Sequence, residues 1–150
     1  MTQAALKKRL QYNELAGRNN EAILTTADPD YDNKDGFDKA IEQMELELGY
    51  TYPLTEPAAQ KWALKRSKRH ALQILLNENL MNMQISMSPG SFGLSQVTNQ
   101  LKREVSDLDA EFARAKEAGK VPFGDDAAER SGFAVTRIAH GYDPKGNLVF

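Results

Sequence analysis

The stretch LSQVTNQLKREVSDLDAEFARAKEA, residues 94–118, decides the fold class of this chain. Its apolar side chains recur every three or four residues, which is the period of one face of an α-helix. The members of this stripe are Leu94, Val97, Leu101, Val105, Leu108, Phe112 and Ala115. Gly119 follows as a typical helix terminator. The pattern predicts one long amphipathic helix from about Leu94 to Ala118.

A second long helix is predicted upstream, from about Glu56 to Met83, with Thr55 as a suitable N-cap. Its first half carries Trp62 among basic residues and is expected to be solvated, whereas its second half has an apolar stripe and is expected to be core. SMSPGSFG, residues 86–93, has the composition of a loop. We therefore expect the two long helices to pack antiparallel.

Two shorter helices precede this pair. The first is predicted from Gln3 to about Ala16 and the second from about Phe37 to Leu48, where the apolar residues again follow one helical stripe. AILTTADPD, residues 22–30, is interpreted as a short apolar run followed by a turn. GYTYPLTEP, residues 49–57, breaks the chain before the long helices.

The carboxyl-terminal part of the sequence differs in kind. FAVTRIAHGY, residues 133–142, is strand-like, and the chain ends in apolar residues after a Pro/Gly turn. Such a segment either folds back on its own helices or docks on another chain by strand addition, and we favour docking. The residues expected to anchor this docking arm are Phe133, Val135, Ile138, Tyr142, Leu148 and Phe150.

The expected fold is therefore all-α, a small bundle of about four helices with two long antiparallel helices. We assign residues 1–122 to the helical domain and residues 123–150 to an extended arm with a possible β-strand. A chain of 150 residues suits this organisation. No signal peptide or membrane-spanning stretch is recognisable, so we expect the protein in the cytoplasm in which it is made.

The amino-acid composition excludes several common classes of catalytic site. The chain has no cysteine, so a disulfide, a thiol nucleophile and a zinc–thiolate site are excluded, and His70 and His140 lie far apart in sequence. No nucleophile, phosphate-loop or dinucleotide motif is present. The nearby carboxylates Asp107, Asp109 and Glu111 are interpreted as solvated residues on the polar side of a helix. We expect no catalytic activity, no cofactor and no metal.

The acidic stretch DPDYDNKDGFDKAIEQMELE, residues 28–47, is the best candidate for a metal site. A calcium loop needs a glycine at its sixth position and a glutamate at its twelfth. With Gly36 in sixth place, Tyr31 occupies the first position, where an aspartate is needed. Starting from Asp28 instead puts Lys39 at the twelfth position. Helix capping by Asp35 or its neighbours is the simpler interpretation.

Charge is distributed in two opposed blocks. Residues 28–47 contain eight acids against Lys34 and Lys39, and residues 61–70 contain five bases and no acid. The blocks can pair within one chain, between neighbouring copies or with nucleic acid. The basic patch consists of Lys61, Lys65, Arg66, Lys68 and Arg69. The complementary acidic patch consists of Asp35, Asp38, Glu42 and Glu45.

Four segments carry a family resemblance. They are ILTTADPD (residues 23–30), GFDKAIEQMELELGY (36–50), YTYPLTEP (50–57) and FARAKEAGKVPF (112–123). In this order and spacing the chain resembles the small head-to-tail adaptor proteins of tailed bacteriophages, also called connector or head-completion proteins. The resemblance covers about residues 23–123.

The resemblance implies a structural virion protein. Members of this family form a ring beneath the portal protein, usually of twelve copies, offer the tail or nozzle protein a binding surface, and line the channel through which DNA passes. The basic patch of one copy would then meet the acidic patch of the next, and the docking arm would bind the portal or a neighbour.

The alternative is a small helical DNA-binding protein. The basic patch would contact phosphates, and Trp62 would stack on a base.

Overall fold

The computed structural model describes residues 1–16, 21–85, 91–124 and 127. Within these ranges the fold is helical and has no β-strand, so the expected all-α class is confirmed. A π-helical turn, Leu10–Glu14, extends the first helix. The α-helices are α1 (Gln3–Arg9), α2 (Glu21–Thr25), α3 (Gly36–Leu48), α4 (Pro57–Ile85) and α5 (Ser91–Glu117).

Helix α4 is the centre of the bundle. α3 packs along one side of it and α5 along another, and α1 and α2 contact both α3 and α4. The residues of α4 that are buried include Ala59, Trp62, Ala63, Leu64, Ala71, Leu72, Leu75 and Leu76. A helix covered on two sides buries more than one stripe. The first half of α4 is consequently core as well, which corrects the expectation of a solvated first half.

The two long helices run antiparallel, as expected. The Trp62 and Phe112 rings lie 5.7 Å apart between their centroids, and Arg69, two turns further along α4, meets Asp109, which precedes Phe112 on α5. Along the interface, residue numbers therefore increase on α4 while they decrease on α5. α5 begins at Ser91, immediately after the Pro-Gly pair, rather than at Leu94.

The start of α3 confirms the capping interpretation of the acidic stretch. Asp35 is the N-cap: its carboxylate accepts a hydrogen bond from the Asp38 backbone N–H at 2.9 Å, and the Asp38 carboxylate accepts one from the Asp35 N–H at 3.3 Å. This is a reciprocal capping box. At the other end Gly49 adopts a left-handed φ of 69°, which stops the helix.

One local prediction was wrong. Residues 22–25, interpreted as part of an apolar run before a turn, belong to the short helix α2 (Glu21–Thr25), whose Leu24 is fully buried. A helix of five residues is too short to display a 3.6-residue period in sequence. The first helix, predicted from Gln3 to about Ala16, is helical from Gln3 to Glu14, with regular α geometry to Arg9 and a π-helical turn after it.

The chain after α5 returns to the corner between α3 and α4. The Gly124 N–H donates to the Leu48 carbonyl at 2.7 Å, and the Tyr50 hydroxyl donates to the Pro122 carbonyl at 2.7 Å. The backbones approach so closely that a Cβ on Gly124 would lie 1.7 Å from the Gly49 oxygen. The first residues of the predicted arm are thus fixed to the helical body.

The six predicted docking residues, Phe133, Val135, Ile138, Tyr142, Leu148 and Phe150, lie outside the described residues. Among the helices that are described, none is long and apolar enough to cross a membrane.

Candidate functional site

Arg66 is the centre of an ion-pair network that joins three helices. Its Nε and Nη2 atoms donate to the two carboxylate oxygens of Glu47 on α3 at 2.7 and 2.8 Å, and Nη1 donates to Asp109 on α5 at 2.9 Å. The guanidinium carbon lies 4.1 Å from the centroid of the Phe112 ring. Arg66 is only 5% exposed. It is a structural residue of the core rather than a surface cation.

Two neighbours on α4 complete this network. Arg69 donates to both carboxylate oxygens of Asp109, at 2.9 and 3.2 Å, and His70 Nε2 lies 3.4 Å from Glu47 Oε1. Burial alone would raise the pKa of Glu47, but the hydrogen bonds from Arg66 and His70 outweigh it and lower that pKa to about 2. Burial would likewise raise the pKa of Asp109, but the hydrogen bonds from Arg69 and Arg66 outweigh it, so that this pKa is lowered.

Two lysines of the basic patch pair at its edge. Lys65 donates to Glu111 on α5, and this hydrogen bond lowers the pKa of the Glu111 carboxyl. Lys68 Nζ lies 3.7 Å from Glu14 on the π-helical turn. Lys61 is the member of the basic patch that makes no ion pair within the part of the chain that the structure describes.

The acidic patch pairs with other residues. Lys7 Nζ lies 3.1 Å from the Asp35 carboxylate and 2.9 Å from that of Asp38. Lys34 Nζ lies 2.6 Å from the Glu42 carboxylate. The Gln3 side-chain amide Nε2 donates to Glu45 at 2.8 Å. The structure therefore does not bring the acidic patch onto the basic patch within one subunit. The carboxylates that meet the basic patch are Glu14, Glu47, Asp109 and Glu111.

Asp109 and Glu111 are residues whose role the sequence interpretation missed. They were expected to be solvated, and they are ion-pair partners of α4. The predicted antiparallel pairing of the two long helices could have revealed this role. It places the last third of α5 opposite the first half of α4, and so sets these carboxylates opposite the basic residues.

A groove of about 430 Å³ opens where the start of α4 meets the end of α5. Its floor contains Trp62, which is 3% exposed, and small alanine side chains. Lys61, Arg114 and Lys120 line it as cations, and its carboxylate, Glu111, is already bound to Lys65. We call this feature the cationic groove. Its residues are Ala58, Lys61, Trp62, Glu111, Arg114, Ala115, Ala118 and Lys120.

The described residues contain no group of three or more histidine, aspartate or glutamate side chains placed to hold a metal ion. A smaller cavity of about 210 Å³ lies between the loop after α3 and the segment after α5. The cationic groove is therefore the candidate binding surface: it has an apolar floor and cations suited to an acidic partner.

Comparison with known proteins gives no match: no protein-family model, curated protein or solved structure corresponds to this chain.

Proposed function

We propose that this chain is a structural virion protein, the head-to-tail adaptor of a tailed bacteriophage. Copies of it form a ring under the portal protein and connect the capsid to the tail, and DNA passes through the channel that they line. The protein is made in the host cytoplasm and acts in the virion, without catalysis and without a cofactor. The sequence resemblance over residues 23–123 supports this proposal.

The observation that carries the proposal is the charge that remains after the internal pairs are formed. On the α5 side of α4, the cationic groove presents Lys61, Arg114 and Lys120. On the α3 side, the exposed residues Asp30 and Asp32 make no ion pair with any described cation. Opposite charges on different sides of one subunit suit a head-to-tail contact between copies.

The sequence-derived basic patch has a narrower role in this proposal than first expected. Arg66 and Arg69 hold α3, α4 and α5 together, so the outward cations of the ring are those of the cationic groove. The partners remain the portal protein, the tail or nozzle protein and further copies of this chain. The docking arm is expected to bind the portal or a neighbouring copy.

DNA binding as the main function has less support. Lys65, Arg66, Lys68 and Arg69 are each bound to a carboxylate, so phosphate contacts would have to replace existing ion pairs. Trp62 is almost fully buried, and stacking on a base needs an accessible ring face.

The test is to mix the purified chain with rings of the portal protein encoded by the same genome. We expect the chain to migrate with the portal in size-exclusion chromatography and to appear as an added ring in electron micrographs. A variant truncated after residue 132 should keep its helical circular dichroism signal and lose portal attachment.

A full-length chain that stays monomeric and binds neither portal nor tail protein would overturn the proposal. A monomer whose affinity for DNA falls steeply with salt would instead support the DNA-binding alternative.

A further inference from the structure

We propose that the cationic groove of one copy receives the outer face of α3 from the next copy, with Leu46 as the apolar anchor. This inference rests on the proposed function, because it assigns the surfaces that join neighbouring subunits of the ring. It replaces a general attraction between charged blocks with one defined contact.

The groove has the properties of a receptor for a helix with mixed character. Its floor is apolar, since Ala58, Ala115 and Ala118 line it above the buried Trp62. Its volume of about 430 Å³ exceeds that of one leucine side chain several times. Lys61, Arg114 and Lys120 surround this floor, and none of them forms an ion pair in the described part of the chain. An apolar side chain flanked by carboxylates is the complementary ligand.

The outer face of α3 presents such a side chain. The buried residues of α3, among them Ile41, Met44 and Leu48, face the core, and Leu46 lies on the opposite face with 58% of its surface exposed. Glu42 lies one helical turn before Leu46, and Glu45 lies beside it. Leu46 is therefore an exposed leucine with two glutamates, Glu42 and Glu45, within one helical turn.

The other large exposed hydrophobic side chains among the described residues fit the groove less well. Tyr31 donates its hydroxyl hydrogen to Glu42, and lysine ammonium groups lie near its ring at 5.4 and 5.6 Å. Tyr12 follows the basic run Lys7–Arg9, whose charge has the same sign as the groove. Met81 has Glu78 as its neighbouring carboxylate on α4. Leu46 is the one of these four with two glutamates, Glu42 and Glu45, within one turn of its own helix.

The acceptors on α3 are held in place before any contact is made. The Glu42 carboxylate is bound by the Tyr31 hydroxyl and Lys34 Nζ, each at 2.6 Å, and the Gln3 amide binds Glu45 at 2.8 Å. A carboxylate has about four acceptor positions, so each can still accept from a lysine or arginine of a neighbour. Pre-ordered acceptors lose less conformational entropy when they bind.

The placement of the two surfaces makes the contact directional. α3 packs on one side of α4, and the groove lies between α4 and α5, so a subunit does not fill its own groove with its own α3. Each pairing leaves one groove and one α3 face open. Such a heterologous contact propagates until a ring closes. A contact of this size is weak for an isolated pair, so ring closure and the portal are expected to strengthen it.

The absence of cysteine from the chain allows a direct test. In the double variant Leu46→Cys and Ala118→Cys, one thiol lies on the α3 face and the other in the groove, and both positions are exposed. Mild oxidation, of the free chain at high concentration and of the chain bound to portal rings, should give a ladder of covalent oligomers beyond the dimer. Each single variant can give at most a dimer.

The matched control is Met81→Cys with Ala118→Cys, which places the first thiol on an equally exposed residue of another helix. It should give at least tenfold less trimer and larger product. Adding Lys61→Glu and Arg114→Glu to the Leu46→Cys and Ala118→Cys variant should reduce the ladder to the same extent.

A chain that binds the portal and gives no ladder in either state would overturn this contact and leave the adaptor function standing. A ladder from a chain that does not bind the portal would support the contact and overturn the adaptor function. A ladder of equal strength from the control would also overturn the contact.

Discussion

Arg66 and Lys61 lie five residues apart on α4 and differ in almost every physical respect. Arg66 is 5% exposed and bound to Glu47 and Asp109. Lys61 is exposed, lies over the Trp62 ring at 5.4 Å, and makes no ion pair among the described residues. The comparison teaches that position on the helix, rather than membership of a basic run, decides whether a cation stabilises the fold or faces a partner.

The energetic consequence of this difference is large. A buried charge that loses its partner leaves another charge unpaired in a poorly solvated place, whereas an exposed charge is solvated with or without a partner. The acidic residues divide in the same way: Glu47 belongs to the buried network, Asp35 caps α3, and Asp30 faces solvent.

The largest effect is expected from Arg66→Met, which keeps much of the side-chain volume and removes the charge. Glu47 and Asp109 then lose their shared partner, and the free energy of unfolding should fall by about 4 kcal/mol. Lys61→Met is the matched control and should change it by less than about 0.5 kcal/mol. Denaturant titration measures both. Equal losses in the two variants would remove the distinction between the buried and the exposed cation.

The next effect concerns pH. The pKa of Glu47 is lowered from 4.5 to about 2 in the folded protein, so the unfolded chain takes up this proton first as the pH falls. The stability that Glu47 contributes is complete above pH 4.5 and is lost between pH 4.5 and 2, to the extent of about 3 kcal/mol. Glu47→Gln should lower stability at pH 7 and flatten this dependence. Urea titrations at several pH values measure the free energy of unfolding. If it fell with pH as steeply in Glu47→Gln as in the wild-type chain, the ion pair of Glu47 would not be the source of the pH dependence.

A smaller effect is expected at the start of α3. Asp35→Ala removes the N-cap and a carboxylate bound to Lys7, and should lower the free energy of unfolding by about 1 kcal/mol. Asp30→Ala, in the exposed turn before α3, serves as the control and should be neutral. Thermal unfolding followed by circular dichroism compares the two, and a neutral Asp35→Ala would argue against the capping box.

The smallest effect on stability is expected in the cationic groove. The double variant Lys61→Glu and Arg114→Glu should unfold within about 0.5 kcal/mol of the wild-type chain, because both positions are exposed and make no ion pair among the described residues. The same variant should lose association between copies. A loss of stability as large as that of Arg66→Met would mean that the groove residues also hold the fold.

Much of the fold followed from the apolar stripes. The stripe from Leu94 to Ala115 and the one ending at Leu48 gave helices close to α5 and α3, and the antiparallel pairing of the long helices was correct. The capping role of Asp35 was also correct. These features are encoded locally, in residues three or four apart, and so are visible in the sequence.

What the sequence did not reveal depends on contacts between distant segments. The partner of Arg66 could be any of many carboxylates until α3 and α5 are placed on either side of α4. The cationic groove is likewise assembled from the start of α4 and the residues around Gly119, which lie more than 50 positions apart. Helix α2 was not predicted because a single buried leucine, Leu24, cannot show the 3.6-residue period of a helix.

The most direct test of the central claim, that the inward charges hold the fold and the outward ones join copies, mixes two complementary variants. One has a reversed groove (Lys61→Glu and Arg114→Glu), and the other has a neutral, polar α3 face (Leu46→Gln and Glu42→Gln). Sedimentation is measured for the wild-type chain, for each variant alone and for their equimolar mixture, in free solution and with portal rings.

We predict that each variant alone stays at the chain mass of 16.7 kDa where the wild type assembles. At high protein concentration, the free mixture should form a species of two chains and no larger. That limit follows because the mixed pair uses the one intact groove and the one intact α3 face, so that only the two altered surfaces remain open. Variants that assemble alone like the wild type, a mixture that forms no pair, or a wild type that stays single in every condition would contradict the account.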